Sequence, residues 1–384
     1  MLILVVGATG NLGQLLAQAA LDRGHRVRAL GRSPDKLSAS LATQLESFVR
    51  SENYYDIPAL DRACHSVDAI IVAYQGIPTL QLEGQLLLLR SAERAGVKRF
   101  VSTSWNYDWR NTSLGQQDSY DAYISFRRHV ELSSSIKPIY IFTGVLAEVL
   151  FSVDGHGDFS PRNHGVWDPV AKSIAMYGTG EETWPDFGTY NPNPCKLNLL
   201  KYSNREYKLN LRLKNDCQDS TILIRLALGL YPIVYAEVWT WHWTTESDAA
   251  ELTLEILGTE GVEEGGFWTV YSGEHTLPQI ATIYEQVRGT KVTIDRLGSV
   301  EDLRRTALEA RAAGNPQNYW EYIGYLYQLY TLDRTWTLGN ADYEKIPNFK
   351  PTTLEDSLVV TRKYNGLTSV EFFHVQESLL TRIP

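Results

Sequence analysis

Gly7-Ala-Thr-Gly-Asn-Leu-Gly13 follows directly on the apolar run Leu2-Ile-Leu-Val-Val6. Such a run suits a strand buried on both faces, as the strands of parallel sheets are. The glycines then impose a turn. One permits the tight reversal, a second lets backbone amides approach a bound group, and a third lets the next helix pack closely on the strand. Residues 12–23 supply that helix, with Leu12, Leu15, Leu16, Ala19 and Ala20 at helical spacing and Gly24 as its stop. A helix N-terminus behind bare glycines favours anions, because free amides and the helix dipole both point at the ligand. The competing reading is a tight turn that binds nothing.

The alternation continues outward from this unit. Residues 26–30 read as a strand, 34–41 as a helix start, 45–49 as a weak strand and 57–64 as a helix. A strand at 69–73, a helix at 80–95 closed by Gly96, a strand at 99–103, a helix at 120–134 and a strand at 138–142 follow. Strand and helix alternating over about 140 residues is the signature of a doubly wound, Rossmann-type α/β sheet. Right-handed crossovers put the strand C-termini on one edge, where ligands bind. Residues 1–150 are therefore assigned to a dinucleotide-binding Rossmann domain. Within its turn, Gly7, Thr9, Gly10, Asn11, Leu12 and Gly13 are the residues expected to hold the pyrophosphate.

The end of the second strand bears on which dinucleotide. An acid there would accept hydrogen bonds from a ribose 2′-hydroxyl. The chain instead reads Leu30-Gly-Arg-Ser-Pro-Asp-Lys36, with its acid beyond the proline. Arg32 presents a planar, permanently charged fork suited to a 2′-phosphate, and Lys36 adds a second positive charge. This points to NADP(H), against the plainer reading of two solvated surface cations.

Beyond Gly144 the alternation loosens. Residues 172–177, 267–271 and 292–297 read as strands, and 247–257, 277–288, 300–313 and 318–330 as helices. Residues 151–384 are assigned to a smaller, more helical capping region that shares elements with the Rossmann core. Its aromatics, among them Trp320, Tyr322, Tyr325, Tyr327 and Tyr330, read as core or subunit interface before they read as a ligand box. Residues 185–243 fit neither pattern. Between 196 and 214 they carry six basic residues and one acidic residue, in a chain of net charge −9. Loops beyond about 15 residues are uncommon in compact domains. The segment reads as an insertion, either a translated retained intron or a lid at the ligand edge, that could be deleted without loss of the Rossmann domain.

Composition excludes several classes. A net charge of −9 opposes general nucleic-acid binding. Cys64, Cys195 and Cys217 show no metal or disulfide spacing, and a reducing compartment follows. No apolar run approaches the roughly 20 residues of a membrane span, and residues 1–6 lack the basic segment of a signal peptide. The expectation is a cytoplasmic protein with no membrane or nucleic-acid partner.

Gly7-Ala-Thr-Gly-Asn-Leu-Gly13, Gly31-Arg-Ser-Pro34, Ala95-Gly-Val-Lys-Arg-Phe100 and Tyr177-Gly-Thr-Gly180 resemble the NmrA-like and isoflavone-reductase-like branch of the atypical short-chain dehydrogenases, in its fungal form. Asn348-Phe-Lys-Pro-Thr352 resembles that family's C-terminus. The resemblance covers residues 1–184 and about 244–360, and implies a Rossmann domain, a small capping domain and NADP(H). It also implies a lysine on the helix after the fifth strand. Aligning Arg127-Arg-His-Val-Glu131 on that helix puts Tyr123 in its place. Tyr123 and Arg127 lie one helical turn apart, so arginine could favour tyrosinate without relaying a proton. Ser104, at the mouth of the fifth strand, is the candidate to orient a substrate carbonyl. The competing reading makes Tyr123 and Arg127 ordinary helix-surface residues. His129 and Glu131 read as surface, and His156, in Asp154-Gly-His-Gly-Asp158, as part of a polar loop.

The leading expectation is an NADP(H)-dependent reductase of a small aromatic or carbonyl-bearing metabolite. In it Tyr123 is the acid, Arg127 its electrostatic partner and no metal takes part. The alternative is a non-enzymatic NADP(H) sensor that regulates a partner protein, and a third reading is an inactive scaffold. A homodimer is compatible with each.

Overall fold

The computed structural model describes residues 1–180, 239–336 and 338–364. Strands β1 (Leu2–Val6), β2 (Arg26–Gly31), β3 (Ser47–Arg50), β4 (Ala69–Val72), β5 (Arg99–Val101) and β6 (Ile139–Phe142) alternate with five helices. These are α1 (Asn11–Asp22), α2 (Ala39–Gln44), α3 (Ile57–Cys64), α4 (Gln85–Ala95) and α5 (Asp121–Ser133). Then come β7 (Val145–Leu146), α6 (Ala147–Leu150), β8 (Trp167–Asp168), β9 (Ser173–Tyr177), β10 (Trp241–Thr244), α7 (Glu246–Leu257), β11 (Gly266–Thr269), β12 (Gly273–His275), α8 (Leu277–Arg288), β13 (Thr293–Gly298), α9 (Val300–Ala313), α10 (Ile323–Leu332) and α11 (Leu354–Tyr364).

The main sheet has seven strands in the order β11-β6-β5-β4-β1-β2-β3, and every pairing in it is parallel. All five β1 residues are buried, which is why the run carries no polar alternation. The strand order reverses between β1 and β4, so a crevice opens beyond the C-terminal ends of these two strands. On one face, Ile3, Val5, Leu16 and Ala20 meet Ala249, Leu252 and Ile256 of α7. On the other, Leu4 and Val6 meet Leu60, Leu88 and Phe126.

Two helical stretches differ from the expected form. Residues 80–95 were expected as one helix, but Thr79–Gly84 form a wider π-helical turn before α4 begins. Gln85 holds this junction: its amide nitrogen donates to the Gln81 carbonyl at 2.7 Å, while its oxygen accepts from Ser102 Oγ and the Thr103 amide. Residues 318–330 break at Asn318, and α10 begins only at Ile323. There Tyr322 sends its hydroxyl to Asp118 at 2.9 Å, and Gly324 packs where a β-carbon would lie 2.2 Å from the Asn163 carbonyl oxygen.

The expected aromatic cluster is core. Trp336 is 1% exposed and packs on Tyr107, Tyr120, Tyr327 and Tyr330, with ring centroids 4.8–5.3 Å apart. Trp320, by contrast, is 56% exposed. Residues 181–238, most of the segment read as an insertion together with Cys195 and Cys217, lie outside the described residues. Its last residues require a correction. Trp241, His242 and Trp243 belong to β10, which pairs with β7 and β12 and is buried along its length. A deletion of 185–243 would therefore remove a core strand. Trp241-His-Trp-Thr244 is a run of only four residues, too short to stand out from the segment before it.

Candidate functional site

The Gly7–Gly13 turn sits at the end of β1, in the crevice. Gly7 adopts φ +77°, and a β-carbon there would lie 2.3 Å from the Ala73 carbonyl oxygen. A β-carbon on Gly13 would lie 2.2 Å from the Gly7 carbonyl oxygen. Both glycines are demanded by protein packing. Gly10 is different: the nearest atom to its notional β-carbon is 3.5 Å away, an ordinary contact. Its bareness leaves room above the backbone. Gly10 caps α1 without any side-chain hydrogen bond, and the first turn contains no acid. The first amides of a helix have no intrahelical acceptor, so this end of α1 is an open anion seat. Thr9 lies beside Gly31 at the end of β2, and Leu12 is partly buried against the α1–α7 face. Asn11 turns aside: its Nδ2 donates to the Gly155 carbonyl at 2.9 Å.

Arg32 lies one residue beyond β2, exposed, and forms no ion pair or side-chain hydrogen bond among the described residues. Lys36 is exposed at the end of the short 3-10 turn Pro34–Lys36. The acid expected for a 2′-hydroxyl is missing from the strand end, and a cation stands there instead.

Tyr123 is no surface residue. It is 7% exposed, between Trp109 and Tyr120. Its hydroxyl accepts from Gln81 Nε2, carried by the π-helical turn. The Asn106 amide, oriented so that its nitrogen donates to the Ser104 and Tyr107 carbonyls, accepts from the Tyr123 hydroxyl at 3.1 Å. Burial pushes this phenol well above its ordinary range. Tyr123 therefore stays protonated at neutral pH. The expected electrostatic partnership with Arg127 is corrected: the Arg127 guanidinium pairs with Glu131 at 2.7 Å and lies over the Phe267 ring, 5.0 Å from its centroid. Helical spacing put both residues on neighbouring turns, but the two side chains leave the helix toward different surroundings. Ser104 is also corrected. It is 0% exposed, and its hydroxyl donates to the Ser102 carbonyl and accepts from the Ile141 amide, stitching the exit of β5 to β6.

Three groups that sequence reasoning did not assemble lie at the same edge. His156 Nδ1 is 2.9 Å from Glu246 Oε2, and Glu148 Oε2 accepts from the Glu246 amide at 3.0 Å. His156 is in a loop, as expected, but its side chain is only 6% exposed. No local signal links it to residues 8 and 90 positions away in the chain.

A seven-stranded parallel sheet with a bare glycine turn at its switch point defines an α/β protein of the dinucleotide-binding class. Comparison with known proteins gives the family: the NmrA-like family profile matches residues 1–153. Phenylcoumaran benzylic ether reductase PT1 of Pinus taeda is 34% identical over 219 residues, 52% of this chain and 68% of the relative. The chain belongs to the NmrA-like family. It is also similar to the "Probable pinoresinol-lariciresinol reductase 3" of Arabidopsis thaliana, at 30% identity over 187 residues, 46% of this chain and 56% of the relative. The chain thus spans just over half the length of that protein. The binary complex of leucoanthocyanidin reductase and NADPH from Vitis vinifera has the same fold, with a TM-score of 0.60 and 16% identity over 94% of this chain and 98% of that one. Among the described residues, no helix is long and apolar enough to cross a membrane.

Proposed function

We propose that the chain is an NADP(H)-dependent reductase of a small aromatic or carbonyl-bearing metabolite, of the fungal branch of its family. The observation that carries this reading is the uncapped, acid-free start of α1 behind Gly10, with Arg32, exposed and without an ion pair among the described residues, just beyond β2. These residues fit the dinucleotide. The amides at the start of α1 would hold the pyrophosphate, and Arg32, with Lys36 nearby in sequence, the 2′-phosphate. When bound, NADPH supplies a hydride. The reductases among the relatives support the reaction class.

Arg32→Ala should weaken NADPH binding and leave NADH binding nearly unchanged. One charge-assisted phosphate contact is worth about 1.5–3 kcal/mol, or roughly one to two decades in affinity. Fluorescence titration of both cofactors checks this, and equal weakening of the two would sink the assignment.

Tyr123 is the proposed acid. It holds its proton on the hydroxyl and gives it to Asn106, so a substrate oxygen must take the place of Asn106 to receive it. Tyr123→Phe should then abolish NADPH oxidation with a responsive carbonyl substrate while NADPH binding persists. Full turnover in the variant would remove Tyr123 from the chemistry. A second reading is favoured by a specific observation: the Tyr123 hydroxyl is engaged on both sides, and the lysine implied by the family is replaced. This reading is an NADP(H) sensor acting on a protein partner. It predicts tight NADPH binding with no turnover across a panel of aromatic carbonyl compounds.

A further inference from the structure

His156 is buried although Asp154-Gly-His-Gly-Asp158 has the composition of a solvated loop. Gly155 at φ +80° and Gly157 at φ +138° let the chain turn sharply on both sides of it. The imidazole consequently faces inward to Glu246, the first residue of α7, while the Gly155 carbonyl receives Asn11 Nδ2 from the first residue of α1. Glu148, on α6, completes the inner cluster through the Glu246 amide. Among the described residues, the charged groups acting on His156 include Glu246, Glu148 and Asp154, and those acting on Glu148 include Glu246 and His156. Among the described residues no set of acids, histidines and cysteines is arranged to hold a metal ion. Buried ionisable groups cost stability unless they are paired, and the proposed reaction makes no use of these. Yet the loop they anchor is the one that touches the anion seat.

We propose that Glu148, Glu246 and His156 form a positioning latch: they hold the 154–158 loop against the first turn of α1 and so set how tightly dinucleotide phosphates are captured there. The proposal rests on the cofactor reading above. Protonation is what makes the latch adjustable. Burial, reinforced by Glu246, pushes the Glu148 carboxyl up from 4.5 to about 8. Desolvation alone would lower the His156 pKa, but Glu246, Glu148 and Asp154 outweigh it and raise the value above 6.5. A group whose pKa is raised by folding holds a proton that the unfolded chain has released, so its contribution is complete below the unfolded value. For Glu148 that contribution is lost as pH rises from 4.5 to about 8. Below this raised value Glu148 is a carboxylic acid beside the His156–Glu246 pair. Above it Glu148 ionises and adds a negative charge to the cluster, behind a site that must accept phosphates. The added charge makes the site more repulsive to phosphates and weakens capture.

The test is titration of NADPH into the full chain at pH 7 and pH 9, followed by nucleotide fluorescence. The 2′-phosphate titrates near pH 6 and is ionised at both values. The wild-type Kd should rise about five- to tenfold between them. Glu148→Gln keeps the shape of the protonated acid and cannot ionise, so its Kd should change by about twofold or less. His156→Gln should bind at pH 7 about as weakly as the wild type does at pH 9. Without nucleotide, the thermal midpoint of the wild type should fall more steeply between pH 5 and pH 8.5 than that of Glu148→Gln. This comparison keeps the test decisive even where His156→Gln fails to fold. NADPH binding with a flat pH profile, or Glu148→Gln retaining the full wild-type dependence, overturns the latch alone. No NADPH binding at either pH overturns the cofactor reading, and the latch with it.

Discussion

Gly13→Ala should cost about 3 kcal/mol of stability and reduce NADPH affinity more than 100-fold, the usual consequence of forcing a methyl against fixed backbone. The new β-carbon would lie 2.2 Å from the Gly7 carbonyl oxygen and 3.0 Å from the Ala8 Cα. Neither is the end of a flexible side chain, so β1 or α1 must move. Any movement of α1 away from β1 carries the amides of Asn11, Leu12 and Gly13 with it, and these are the groups that would hold the pyrophosphate. Gly24→Ala is the matched control. It too places alanine on a glycine, at φ +74°, but in open space. Its cost should be only the left-handed backbone, about 1–2 kcal/mol, with cofactor affinity unchanged. Urea unfolding and NADPH titration of the two variants separate packing from binding. A Gly13→Ala protein that binds NADPH within threefold of wild type would refute the account of the turn.

Trp243→Ala should destabilise the protein by about 3–5 kcal/mol, the range for removing a large aromatic from a core. Trp243 is 0% exposed, sits in the middle of β10 between β7 and β12, and donates Nε1–H to His275 Nδ1 at 2.9 Å. Its ring fills the space over Gly273, where a β-carbon would meet it at 2.8 Å. Burial pushes the His275 pKa down, and the Trp243 Nε1–H makes Nδ1 the acceptor nitrogen of the ring. Trp243→Phe keeps much of the ring volume and loses this hydrogen bond, so it should cost less. Deleting residues 185–243 removes the same strand and should be at least as damaging as Trp243→Ala. A deletion ending at Val238 spares Trp241–Thr244. Chemical denaturation of Trp243→Ala checks the claim, and a loss under about 1 kcal/mol would show that β10 is not core.

The strand, glycine turn and helix at the N-terminus were legible because each depends on neighbours within about a dozen residues. A strand buried on both faces requires an unbroken apolar run, and Leu2–Val6 supplies one. Gly7 and Gly13 are fixed by contacts made inside the turn or to the adjacent strand. Helix ends were legible for the same reason. Gly96 closes α4 in the left-handed conformation, and α3, α8 and α9 begin and end where their apolar spacing and caps place them. The missing acid after β2 and the arginine at position 32 could likewise be read directly, because that strand ends at the ligand edge whatever else the chain does.

Tertiary structure alone decided the rest. The sequence shows six strands before residue 143, but the seventh, β11, is drawn in from Gly266–Thr269 to pair with β6. A strand of four residues carries no mark of the partner it will find. Tyr123 and Arg127 share a helix spacing that suggests one function, yet Gln81 and Asn106 claim the first while Glu131 and Phe267 claim the second. Glu148, Glu246 and His156 are ordinary polar residues in sequence. They become a buried cluster only because α6, α7 and the 154–158 loop close on one point, across a chain separation of 98 residues between the two glutamates. Periodicity and backbone sterics act within one element and are written locally. Burial, charge pairing and pKa depend on what the folded chain brings alongside.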